Sequence, residues 1–220
     1  MKVLIIGGSS GLGLALSKEF SNKGDEVIIT GRNDPKVNFA EFRKFDLTQN
    51  DLPTKIERFI KGLPKVNVLV YAAGFYQDGT VTDLSTQQIE DMLDVGGRGL
   101  IYFVRSLLIK QNHLDELVTV TSTSQWTPRK LEPIYNFIKA GAGQLSNGLA
   151  EDGRIAKVLV AAPSGMRTAF WDGVKRDDLD QMLDKGWVAQ QIIKARSGKY
   201  QYKFIQILRQ PARVEVAETR

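Results

Sequence analysis

The chain has 220 residues, 42% hydrophobic and 25% charged, the balance of a globular protein long enough to bury a substantial core. It carries no cysteine and one histidine, His113, which excludes a disulfide framework, a thiolate metal site and an all-histidine metal site. The formal charge of +5 is spread over separated pairs such as Arg43 and Lys44 or Arg129 and Lys130, with no basic run, so nucleic acid is not an expected partner.

Val3 to Ile6 is the first predicted strand, and its early start leaves no room for a signal or transit peptide. The turn that follows holds Gly7, Gly11 and Gly13, with Ser9 and Ser10 between them. Glycine lets the backbone approach a pyrophosphate, and a helix amino terminus offers free N–H groups to it. The spacing is G-x-x-x-G-x-G, not the commoner G-x-G-x-x-G, and a helix is predicted over Leu12 to Asn22 before Gly24.

The second strand, Val27 to Thr30, runs into Gly31 and Arg32. An acid is expected at this strand end when the free 2′-hydroxyl of NAD is bound. An arginine fork suits a 2′-phosphate instead, so NADP(H) is the preferred cofactor and NAD(H) the alternative. Arg32 reads equally as a surface arginine in a loop. A short strand follows at Phe42 to Phe45, and then Asp46, which either bonds an adenine amino group or caps the next helix.

That helix, Asp51 to Lys61, carries Pro53 in its first turn, where a missing N–H costs little. Further strands are predicted at Val66 to Tyr71, Leu117 to Thr121, Ala156 to Ala161 and Tyr202 to Leu208. Helices are predicted at Ser85 to Leu93, Leu100 to Lys110, Pro133 to Leu149 and Leu179 to Ala195, the last with a break at Gly186. His113, among Gln111, Asn112 and Asp115, belongs on the surface at a helix end. The residues from Pro211 read as a loose tail or a contact with a neighbouring subunit.

Strands this apolar are covered on both faces, as in a parallel sheet. The alternation gives an α/β fold: one Rossmann-type, doubly wound parallel sheet of about seven strands with helices on both faces. Residues 1–220 are expected to form a single domain. No apolar stretch reaches the ~18 residues of a membrane span, so a soluble, cytoplasmic protein is the default expectation.

Tyr135 and Lys139 lie four apart, on one face of the Pro133 to Leu149 helix. A phenol is a poor acid–base group at neutral pH, and a nearby ammonium favours its ionised form. Ser122, at the end of a strand thirteen residues before Tyr135, is placed to hydrogen-bond a substrate oxygen. Without the glycine turn, the pair would read as an incidental aromatic and a surface lysine.

Over nearly its whole length the chain resembles the short-chain dehydrogenase/reductase family. Its glycine turn matches the family's T-G-x-x-x-G-x-G with Ile6 in place of threonine, and Asp46 falls on the adenine-contacting aspartate. Ala73 and Gly74 match the end of N-N-A-G, with Tyr71 and Ala72 replacing both asparagines. Ser122, Tyr135 and Lys139 fall on the catalytic serine, tyrosine and lysine. Pro163 and Thr168 match the P-G-x-x-x-T segment at the nicotinamide end, where Ser164 replaces glycine. The resemblance implies catalysis by Ser122, Tyr135 and Lys139. The cofactor-binding candidates are Gly7, Ser9, Ser10, Gly11, Leu12, Gly13, Arg32, Asp46, Leu47, Ala73, Gly74, Pro163 and Thr168, with Tyr135 and Lys139 shared.

Gly96 stands at the tetrad asparagine that, in the family, helps hold a water beside the lysine. An asparagine restored there is expected to raise turnover or leave it unchanged, provided the helix tolerates the side chain. Phe137 and Ile138 are bulkier than the family's residues before the lysine. The resemblance also implies a small-molecule carbonyl or alcohol substrate. Phe75, Tyr76, Trp126, Phe170 and Trp171 are candidates to line a partly aromatic pocket. A homodimer or homotetramer is implied through the Leu100 to Lys110 and Pro133 to Leu149 helices, with Phe103, Leu107, Leu145 and Leu149 as contacts. The rival reading is an NADP(H)-binding regulatory or scaffold protein of the same fold without turnover.

Overall fold

The structure, a computed structural model, describes residues 1–168 and 178–220. One sheet contains β1 (Lys2–Ile6), β2 (Glu26–Gly31), β3 (Glu41–Lys44), β4 (Val68–Tyr71), β5 (Glu116–Val120), β6 (Val158–Pro163), β7 (Tyr202–Arg209) and β8 (Ala212–Thr219). The spatial order is β3-β2-β1-β4-β5-β6-β7-β8. The first seven strands are parallel, with Val3 opposite both Val27 and Val68, and β8 returns antiparallel to β7. Chain order reverses between β1 and β4, which opens a crevice at their carboxyl ends.

Strand period decides which core each residue joins. Leu4, Ile6, Leu69, Leu117 and Val158 face one layer; Val3, Ile5, Val68, Val118 and Leu159 face the other. The first layer is closed by α2 (Leu52–Lys61), α4 (Gly99–Gln111) and α5 (Pro133–Leu149). The second is closed by α1 (Gly11–Asn22) and α6 (Lys185–Ala195), through Leu16, Phe20, Val188 and Ile192. Each such fully buried aliphatic or aromatic side chain contributes about 1.5–3 kcal/mol. The remaining helix, α3 (Thr86–Leu93), starts in a capping box between Ser85 and Gln88 and covers the open end near α5.

Four expectations change. The sheet has eight strands rather than about seven, because the segment after Pro211 is no loose tail but an exposed edge strand. Its charges, Arg213, Glu215 and Glu218, suit an edge. The break before α6 lies ahead of Gly186: a short 3-10 turn, Leu179–Gln181, ends there, and Asp184 caps α6 by accepting from the Trp187 amide. Phe103 and Leu107 are fully buried in this chain's own core, so neither is a contact surface, while Leu145 and Leu149 pack against that core and stay partly exposed. Finally, α3 runs into α4 through a π-helical segment, Asp94–Arg98, not through a loop.

At the opposite end of the sheet from the crevice, Glu116 at the start of β5 accepts from Arg196 at 2.8 Å and from the Tyr200 hydroxyl at 2.9 Å. The Arg196 guanidinium also lies 4.3 Å from the Phe20 ring centre. This ties α6, β5 and α1 together with almost no exposure of either charge. Glu116→Ala, which leaves Arg196 buried without its carboxylate, should lower the unfolding free energy in urea by about 3–5 kcal/mol. Removing Glu57, half-exposed in its pair with Arg105, should cost under about 1 kcal/mol.

Candidate active site

The glycine turn is fitted to its neighbours by absence of side chain. Gly7 has φ +79°, and a Cβ there would lie 2.6 Å from Ala73 Cα; a Cβ on Gly13 would overlap the Gly7 carbonyl. Gly31 lacks a side chain where the Ser9 hydroxyl sits, and the Gly7 amide donates to Thr30 Oγ1 at 3.3 Å. Gly11 (φ +52°) is in van der Waals reach of Thr168. The ends of β1, β2 and β4 therefore meet Thr168 around the start of α1.

No side chain caps that helix start, and no acidic residue lies in its first turn. Backbone donors and a positive dipole end without a protein anion suit a pyrophosphate. Leu12 is buried in the core, so only its main chain faces the turn. Arg32 is exposed and forms no ion pair among the described residues. It directly follows Gly31, where the Ser9 hydroxyl sits.

Of the two expectations for Asp46, the structure overturns the helix cap. Asp46 Oδ1 accepts from the Thr48 amide at 3.0 Å and its hydroxyl at 2.9 Å, closing a local turn. It does not cap α2, whose N-cap is Asp51 in the left-handed region. Leu47 points into the core, leaving its backbone alone for any ligand. At the end of β6, Ser164 donates both amide and hydroxyl to the Ile207 carbonyl, which uses its side chain for the sheet edge.

Ser122, Tyr135 and Lys139 converge at the carboxyl end of β5. The Ser122 hydroxyl faces the Tyr135 phenol and favours its ionised form, against the larger effect of burial. The Lys139 ammonium donates to the Val120 carbonyl at 3.1 Å and lies 5.5 Å from the Tyr135 ring centre. Tyr76 packs edge-on against Tyr135, 5.3 Å between centres. Burial pushes the phenol up from its ordinary value, and the nearby Glu132 carboxylate adds to this. Burial alone brings Lys139 down to about 8. A phenol that holds its proton this firmly is an acid kept loaded until negative charge develops on a neighbouring oxygen.

The tetrad position is rebuilt. Gly96 lies within the π-helical segment, and a Cβ added there would overlap Ile138 Cγ2. The bulky residue before Lys139 thus occupies the volume that a side chain at 96 would need. Tyr71 is buried and donates to the Val95 carbonyl at 2.6 Å, and Gly99 is bare where the Tyr71 hydroxyl lies. Three departures read separately in the sequence are one packing solution.

Of the expected pocket aromatics, Tyr76 borders Tyr135 and Phe75 packs beside Leu84 and Ile138. Trp126 instead stacks edge-on against Phe204 at 5.8 Å and is partly exposed. Phe170 and Trp171 lie outside the described residues. Sequence reasoning missed three neighbours of the site, Ser124, Arg129 and Glu132. The one signal for them was an acid three residues before Tyr135, at the start of its helix.

The sequence profile of the short chain dehydrogenase family matches residues 1–179. The chain is 25% identical over 231 aligned positions to an oxidoreductase of Staphylococcus aureus, covering 98% of this chain and 94% of that one. It is 27% identical over 165 positions to the NADP-dependent 3-hydroxy acid dehydrogenase of Escherichia coli, covering 69% and 66% of the two chains. A short-chain dehydrogenase from Sphingobium yanoikuyae, solved with NADPH, shares the fold with a TM-score of 0.77 at 20% identity, over 88% of this chain and 83% of that one.

The overlap at Gly96 removes the condition for an asparagine there, since the helix has no room for the side chain. Gly96→Asn should cost about 1–3 kcal/mol, the range for overpacking a filled core, and Ile138→Ala in the same chain should recover much of it. Thermal unfolding of the single and double variants checks this. Equal melting temperatures for Gly96→Asn and wild type would contradict it.

Proposed function

The chain belongs to the short-chain dehydrogenase family, and we propose that it is an NADP(H)-dependent oxidoreductase interconverting a ketone or aldehyde and an alcohol. Residues 1–220 are read as one catalytic domain. The observation that carries this reading is the convergence of Ser122, Tyr135 and Lys139 beside a glycine turn with free backbone donors. When bound, NADPH supplies the hydride. Tyr135 gives its phenolic proton to the carbonyl oxygen, and Ser122 orients that oxygen by hydrogen bonding. Lys139 stabilises the phenolate that remains and would hold the ribose hydroxyls of the bound cofactor. In alcohol oxidation the same phenolate accepts the proton.

Arg32, unpaired among the described residues and placed after β2, supports selection of the 2′-phosphate. The family's NADP-dependent member from Escherichia coli supports the same cofactor. A second reading, cofactor binding without turnover, draws on Gly96 and Ile138, whose packing replaces the family's asparagine. Turnover on a panel of carbonyl compounds separates the two.

Tyr135→Phe should reduce turnover at least ~10²-fold while NADPH affinity stays near wild type, since ring packing is kept and only the acid is lost. Wild-type turnover in that variant would contradict the mechanism. Arg32→Ala should weaken NADPH by about 1.5–3 kcal/mol, the range of a charged hydrogen bond, and leave NADH unchanged. Equal losses for both cofactors would remove Arg32 from the 2′-phosphate.

We infer that the protein assembles as a homodimer or homotetramer on the outer faces of α4 and α5. Ile101 (45% exposed) and Ile109 (65%) share one face of α4, and Phe137 (66%) stands beside the open Gly141 on α5. These are the exposed apolar residues of the two helices, in place of the buried Phe103 and Leu107. Light scattering at micromolar concentration should give a multiple of 24.5 kDa for wild type and a smaller mass for Phe137→Glu. A monomeric wild type would contradict the assembly.

A further inference from the structure

We propose that Glu132, acting through Ser124 and Ser122, is the outer end of a proton relay that serves Tyr135. The inference rests on Tyr135 being the general acid and base. Each carbonyl reduced consumes a proton at the phenol, and each alcohol oxidised delivers one, so a half-buried phenol needs a route to solvent. On the side of Gly96 the Ile138 side chain fills the space that a side chain at 96 would need. On the other side a hydrogen-bonded line of oxygens leads away from Ser122.

The Ser122 hydroxyl lies close enough to the phenol to favour its ionised form, and it donates to Ser124 Oγ at 3.2 Å. Ser124 donates onward to Glu132 Oε2 at 2.8 Å. Arg129 holds the outer end: Nη1 donates to Ser124 Oγ at 2.6 Å and to Glu132 Oε2 at 3.0 Å, and Nη2 to Thr123 Oγ1 at 3.2 Å. Ser124 is buried, the Glu132 side chain is 10% exposed, and that of Arg129 39%. The line thus begins at the reacting phenol and ends at the rim. A loop staple needs only Arg129 and Glu132. Here a buried hydroxyl links that pair to the catalytic serine.

The donors as they stand run outward. In alcohol oxidation the phenolate takes the alcohol proton while the electron pair leaves separately as hydride. The phenol proton then passes to Ser122 as the Ser122 proton passes to Ser124 and the Ser124 proton to the Glu132 carboxylate, which releases it to water. In reduction Glu132 takes a proton from water and the same transfers run inward. Each serine loses one proton as it gains one, and the net movement is one proton between substrate oxygen and solvent. Glu132 is therefore a positioning and relay residue, not one that touches substrate. The titratable and charged groups facing the phenol among the described residues are Tyr76, Arg129, Glu132 and Lys139.

The test compares Ser124→Ala and Glu132→Gln with wild type on a carbonyl that the wild type reduces. Both variants should lose about 10-fold or more in turnover, a fraction of the 10²–10⁴ attached to the acid itself, with NADPH affinity unchanged. The solvent deuterium isotope effect on turnover should rise, because proton resupply becomes the slow step. Glu132→Asp should keep most activity, and formate should restore turnover in Glu132→Ala. A lower melting temperature with wild-type turnover, pH profile and isotope effect would mark a structural staple and overturn the relay. Failure of the underlying mechanism is seen separately, as full activity in Tyr135→Phe. A wild type that turns over neither carbonyl nor alcohol would overturn the mechanism and the relay together.

Discussion

Everything at this site depends on the register in which α5 lies against the carboxyl end of β5. Three polar side chains fix that register along the helix. Asn136 donates to the Ser124 and Thr127 carbonyls at 2.6 and 2.8 Å, Lys139 to the Val120 carbonyl, and Ser146 to Thr119 Oγ1 at 2.8 Å. Gly143 permits the approach, since a Cβ there would meet the Gln125 amide at 2.5 Å. A shift of one residue would break all four of these bonds in a region where unpaired donors are costly. The same register sets the phenol against Ser122 and turns Ile138 toward Gly96. Catalytic geometry and packing are one constraint.

The departures at residues 71, 96 and 138 follow from that constraint. Once Ile138 faces Gly96, the π-helical segment has no room for a side chain, and Tyr71 secures it from beneath by bonding the Val95 carbonyl. Polar support moves to the other flank, where Ser124, Arg129 and Glu132 close on Ser122. A buried serine between a carboxylate and a guanidinium has all its hydrogen-bonding capacity used, which rigidifies the loop between β5 and α5.

Much of this was legible in the sequence because it is local. Strand runs such as Val3 to Ile6 and a helix between Pro133 and Leu149 are signalled by composition and period, and the glycine turn by residues that tolerate positive φ. The charged alternation of Arg213 to Glu218 looks like a tail, because an exposed edge strand buries almost nothing and leaves no apolar face to detect. Phe103 and Leu107 carry no mark of which side of α4 meets the sheet. The overlap of Gly96 with Ile138 joins positions 42 residues apart, and the Ser124–Glu132 bond spans a turn whose path no periodicity reveals. Asp46 failed as a helix cap because Thr48, two residues on, offers nearer donors.

The most direct test of hydride transfer at this site follows the hydrogen itself. NADPH carrying deuterium at its transferable C4 position is incubated with the protein and a carbonyl substrate, and the alcohol is examined by mass spectrometry. One deuterium on the carbinol carbon for each NADPH consumed is the expected result. NADPH bound but not consumed, or consumed with no deuterium in the product, would contradict the assignment of this site to carbonyl reduction.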